Sequence, residues 1–184
     1  MEEASSSSAK GRSQDRPPRN HAKPRDFALA RLARRAHSEG ELAQKMTRVG
    51  YQSDEIEQTL QYLRERRYVD DASFARDFSR ARAERRRWGP ARIGERLRHL
   101  RVFEKHIEAA LSETFPDGER DHAERALERF LETDRRSVSR LSGDKRKARA
   151  YRHLLARGFS PETAHQLVTG RDFNDTDDTE ELES

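Results

Sequence analysis

The 184-residue chain has no cysteine, a single tryptophan and two methionines. Without cysteine there can be no disulfide, zinc thiolate or thiol nucleophile, which fits a reducing compartment. Long apolar runs are missing as well, since no stretch approaches the roughly 20 consecutive apolar residues that a membrane helix needs. The opening segment, MEEASSSSAK, is polar and offers nothing that could serve as a signal sequence. A cytoplasmic protein with no membrane partner is therefore expected. Core-forming residues are scarce: Leu, Ile, Val and Phe account for 31 of the 184 residues, too few for one thick core. Several small cores in an elongated molecule suit this composition better.

Catalytic signatures are also lacking. There is no G-x-x-x-x-G-K-[ST], G-x-G-x-x-G or G-x-S-x-G, so nucleotide-binding and serine-hydrolase chemistry have no support. The seven histidines include no HExxH and no His pair at i,i+4, and are expected in solvent or at groove edges. No catalytic residue, metal, cofactor or small-molecule substrate is expected. Asp70-Asp71 is the one tempting carboxylate pair, for acid–base work or a magnesium-dependent nuclease. Adjacent residues on a helix point apart, however, and Asp71 reads more simply as the N-cap of a helix carrying Phe74 and Phe78.

What the chain does have is charge, unevenly placed. It holds 38 Lys and Arg against 34 Asp and Glu, a net of +4. Residues 1–25 form a polar, basic arm, and residues 170–184 form an acidic tail expected to be disordered. The body between them is more basic than the whole-chain figure implies.

It also repeats itself. A shift of 51 residues aligns Leu42, Met46, Tyr51, Ile56 and Leu60 with Ile93, Leu97, Val102, Ile107 and Leu111. A further 57 aligns those with Ala150, Leu154, Phe159, Ala164 and Val168. Gly50 recurs as Gly158, with Arg101 in the middle copy. Ser38 and Glu41 form a capping-box pattern, while Gly89-Pro90 and Ser160-Pro161 mark helix starts. Gly50 and Gly158 fall where a helix should end in a left-handed residue. The pattern predicts an all-α protein of three tandem three-helix, helix-turn-helix-like repeats over 26–70, 71–117 and 118–169. Each is too thin to stand alone, so together they should form an elongated, curved array.

The densest cationic run is Arg80, Arg82, Arg85, Arg86 and Arg87, then Trp88, then Arg92, Arg96 and Arg98. One reading is a surface for phosphates or an acidic protein groove, with Trp88 free to stack or pack. The other is a solvated helix face balanced by Glu84 and Glu95. A second cluster, Lys145, Arg146, Lys147, Arg149, Arg152 and Arg157, lies on the equivalent helix of the third copy.

Four strings in this sequence, HSEGELAQKM, YVDDASFARDF, WGPARIGERLR and YRHLLARGFS, resemble the RecX family of bacterial RecA regulators. The likeness runs from about Asp26 to Val168. It implies an all-helical, non-enzymatic protein that binds in the groove of the RecA–DNA filament and restrains recombinase, ATPase and co-protease activity. The implied partners are the RecA filament and, weakly, single- and double-stranded DNA. A RecA-independent helical DNA-binding module is the rival reading.

Overall fold

Three turns decide where the middle helices of the repeats end. The computed structural model describes residues 22–133 and 142–173. At Gly50, Arg101 and Gly158 the backbone turns left-handed, with φ of 105°, 63° and 88°. In each case the next amide closes the turn on the helix: Tyr51 N–H on Met46 O (3.3 Å), Val102 on Leu97 O (3.1 Å) and Phe159 on Leu154 O (3.2 Å). The middle repeat thus keeps the turn with an arginine where glycine is favoured, at a cost of about 1–2 kcal/mol.

Nine helices follow among the described residues, and no strand. They are α1 (Pro24–Leu32), α2 (Glu39–Val49), α3 (Ser53–Glu65), α4 (Asp71–Arg86), α5 (Pro90–His99), α6 (Glu104–Thr114), α7 (Arg120–Thr133), α8 (Gly143–Arg157) and α9 (Pro161–Thr169). Pro90 and Pro161 open α5 and α9, as their spacing predicts. Ser160 Oγ accepts the Thr163 amide and Ser38 Oγ that of Glu41. Glu41 does not complete the expected box, because its carboxylate is held by Arg35, His37 and Lys45.

Each trio of helices closes on its own core. Unit 1 buries Leu42, Met46 and Leu63; unit 2 buries Ile93, Leu97 and Ile107; unit 3 buries Leu127, Leu154 and Phe159. The first two positions of the repeat register, Leu42/Ile93/Ala150 and Met46/Leu97/Leu154, are fully excluded from solvent in all three copies. Truncating one of the large side chains there would cost about 2–5 kcal/mol. Three separate cores in a row make the molecule long.

The structure corrects four expectations. Asp71 does not cap α4; Asp70 does, its Oδ1 accepting Ser73 N–H at 3.0 Å. Asp71 instead reaches into unit 1 and accepts the Glu39 amide at 2.8 Å, and its burial there raises its pKa. His37 is buried, not at a groove edge: its Nδ1 meets Arg35 O at 2.9 Å, and burial lowers its pKa. Within the segment expected as a tail from residue 170, Phe173 instead packs into the unit 3 core. Arg146, expected on the surface, is buried and donates to Phe173 O at 3.2 Å. The expected arm falls mostly on residues 1–21 and the rest of the tail on 174–184, both outside the described residues.

Candidate nucleic-acid interface

Neighbouring units meet through the start of one middle helix and the turn of the next. At the first joint Ser38 Oγ donates to Leu100 O. At the second, Gly89 N–H donates to Arg157 O (2.8 Å) and Ala91 N–H to Gly158 O (3.2 Å). Ser38 and Gly89 are repeat equivalents, as are Leu100 and Arg157, so the joints share one plan. Two arginine side chains reinforce the second: Arg92 Nη1 donates to Ala156 O and Arg157 Nη1 to Arg86 O.

These contacts shape a cleft of 1120 Å³ between units 2 and 3. The end of α4 supplies Arg82 and Arg86. Trp88 follows, α5 adds Arg92, Glu95, Arg96, Arg98 and His99, and α8 adds His153 and Arg157. Six guanidiniums therefore line the cleft with a single carboxylate, and among the described residues Arg98 is the only one of the six in a salt bridge, to Glu104 at 2.7 Å. Among the described residues no carboxylate pairs with Arg82, Arg86, Arg92, Arg96 or Arg157. Burial, together with the charges of Arg92, Arg87 and Arg86, lowers the Arg157 pKa. Cations crowded this way without counter-ions make a site that gains from an incoming anion.

Trp88 organises the crowd. Its ring carries the Arg92 guanidinium at 4.5 Å and that of Arg82 at 5.2 Å, and Arg82 also lies 4.9 Å from the Phe78 ring. The indole is thus engaged by cations and is not a free platform for a nucleobase. It fans guanidiniums into the cleft, which suits phosphate recognition over base stacking.

The sequence candidates divide accordingly. Arg82, Arg86, Trp88, Arg92 and Arg96 come together in the cleft. Arg80 turns away to Glu113 at 3.2 Å. Arg85 is exposed on α4, while Arg87 adopts φ 51° and lines a separate hollow with His122 and Arg125. Lys145, Lys147, Arg149 and Arg152 lie on α8 outside the cleft lining, and Arg146 is buried. His99 and His153 were not singled out by sequence. A signal existed for His153, which stands 57 residues after Arg96 in the repeat register. Among the described residues, no group of three or more His, Cys, Asp or Glu could hold a metal ion, and no helix is long and apolar enough to cross a membrane.

Comparison with known proteins agrees with this architecture. Family models described as the first, second and third three-helix domains of RecX match residues 25–63, 70–111 and 119–168. A regulatory protein RecX from Halorhodospira halophila is 34% identical over 152 residues, covering 82% of this chain and 89% of that protein. One from Mycobacterium sp. (strain KMS) is 30% identical, covering 89% and 90%. The crystal structure of RecX from Lactobacillus salivarius superposes with a TM-score of 0.68 at 19% identity, over 80% of this chain and 94% of that one.

Proposed function

The chain belongs to the RecX family, and from that premise we propose that it regulates RecA by laying its arginine cleft on the phosphate backbone of the RecA–DNA filament. The observation that carries this reading is the set of guanidiniums in the cleft that have no carboxylate partner among the described residues. Phosphates would complete them, and Arg forks engage phosphate oxygens two at a time. Phosphate contacts carry no base information, so binding is independent of base sequence, as a filament regulator needs. The action is non-enzymatic and cytoplasmic. The protein fills the filament groove with three linked units, so that individually weak contacts add through effective concentration.

The test is RecA-catalysed ATP hydrolysis on single-stranded DNA, titrated with the purified protein. Slowed hydrolysis at sub-stoichiometric amounts is expected. Unchanged hydrolysis together with unchanged filament lengths would reject the reading. The rival, a DNA-binding module that works without RecA, predicts tight DNA binding alone at physiological salt, with a steep salt slope.

A further inference from the structure

Residues 174–184 carry six carboxylates and no cation, and they follow directly on a residue fixed in the fold. Phe173 is buried in unit 3, with its carbonyl held by Arg146 near the start of α8. The cleft's Arg157 ends the same helix. Eleven residues at 1.5 Å each put it about 16 Å from Arg146, whereas an extended eleven-residue tail reaches about 36 Å. We propose that the acidic segment 174–184 occupies the arginine cleft of its own chain and competes there with phosphates.

Three observations converge on this. The anchor at Phe173 prevents the tail from diffusing away, giving it an effective concentration on the order of millimolar at the cleft. The segment's six carboxylates match in number the five guanidiniums that have no ion-pair partner among the described residues, Arg82, Arg86, Arg92, Arg96 and Arg157, with one to spare. Carboxylate and phosphate oxygens use the same guanidinium geometry, so one occupant excludes the other. The tail then acts as a threshold: isolated DNA displaces it only at raised concentration, while a filament offering phosphates and protein contacts together displaces it readily. The competition rests on the phosphate reading above, but the docking of the tail does not.

Trp88 is the only tryptophan and lies in the cleft, so its emission reports occupancy directly. The experiment compares the natural chain with a full-length variant whose tail is neutralised, with Asn at Asp175, Asp177 and Asp178 and Gln at Glu180, Glu181 and Glu183. At low salt the neutralised chain should show a changed Trp88 spectrum without any DNA. A peptide of residues 174–184 added in trans should restore it saturably, and raised salt should reverse that. The neutralised chain should also bind a fluorescein-labelled oligothymidylate about tenfold more tightly. Identical Trp88 spectra for the two chains, with no response to the peptide, would overturn the proposal. So would tighter DNA binding without any Trp88 change, which would mean long-range repulsion only. A Trp88 response in a chain that binds no DNA would support tail docking and reject the phosphate reading.

Discussion

Beside the first joint, Arg35, His37, Glu41 and Lys45 form a closed ion cluster. Fifty-one residues later the same register holds Arg86, Trp88, Arg92 and Arg96. Glu41 is the pivot: buried, it holds both terminal nitrogens of Arg35 and draws in Lys45 at 3.5 Å. Its counterpart Arg92 has nothing to neutralise, so it stacks on Trp88 and ties the joint through Ala156 O. One scaffold thus supplies a self-satisfied joint and an electrostatically open one, and the difference comes down to a few side chains. The small residue also changes sides. At the first joint Gly40 on α2 leaves room for Arg101, and any Cβ on it would collide with the Arg101 Cβ and carbonyl. At the second, Ala91 stands on the helix and Gly158 in the turn, where a Cβ would collide with Arg92.

The largest effect should come from closing the open joint. Replacing Arg82, Arg86 and Arg96 with Glu should weaken oligonucleotide binding about a hundredfold at low salt, with helicity and melting little changed; anisotropy titrations beside circular dichroism check both. Next, Gly158→Ala meets both strain and collision and should cost about 2–3 kcal/mol in denaturant unfolding. Gly50→Ala has the same left-handed turn but open space around it, and should cost only about 1 kcal/mol. Equal losses would mean that the joint exerts no steric demand.

The exchange of small residues predicts a coupling. Gly40→Ala alone should destabilise by about 1–2 kcal/mol despite Ala's better helix propensity, and adding Arg101→Gly should recover most of it, because the pair then copies Ala91 and Gly158. Additive effects would show that the two positions do not meet.

The smallest effect is a pH response seated in unit 1. Burial lowers the His37 pKa, so His37 favours folding fully only above its unfolded value of 6.5, and that contribution fades as pH falls toward its folded value. Burial would raise Glu41, but the Arg35 hydrogen bond and the charges of His37, Arg35 and Lys45 outweigh it and lower its pKa. Its contribution is present above 4.5 and is lost as pH falls through the depressed folded value. Melting temperature should therefore drop as pH falls, first from about 6.5 through the His37 window and again below 4.5 through the Glu41 window. His37→Gln should flatten the upper part of that slope, and Glu41→Gln the lower part while costing about 1 kcal/mol at neutral pH.

The repeat was legible because helical periodicity is local. Leu42, Ile93 and Ala150 announce one face of one helix three times, and the turn glycines announce its end. The joints were not legible, because Ser38 and Leu100, or Arg92 and Ala156, meet across more than 60 residues, and no local pattern records that meeting. Asp71 illustrates the boundary. Its type was recognisable as a cap, but the helix it serves belongs to another unit, so sequence order assigned it to the wrong one. The basic run named the cleft's residues without its shape, since only folding sends Arg80 to Glu113 and gathers Arg82, Arg86 and Arg96 around Trp88. Arg146 looked like part of the second cluster for the same reason: nothing nearby in sequence reveals that Phe173 returns to cover it.

The most direct test sets the two joints against each other in one assay. Arg82→Glu with Arg96→Glu, and the repeat-equivalent Arg31→Glu with Lys45→Glu, remove the same charge from the same register positions in units 2 and 1. Titrated into RecA-catalysed ATP hydrolysis on single-stranded DNA, the first double variant should lose inhibition and the second should retain nearly all of it. Equal loss from both, or full inhibition by the first, would contradict an account that places the working surface at the second joint.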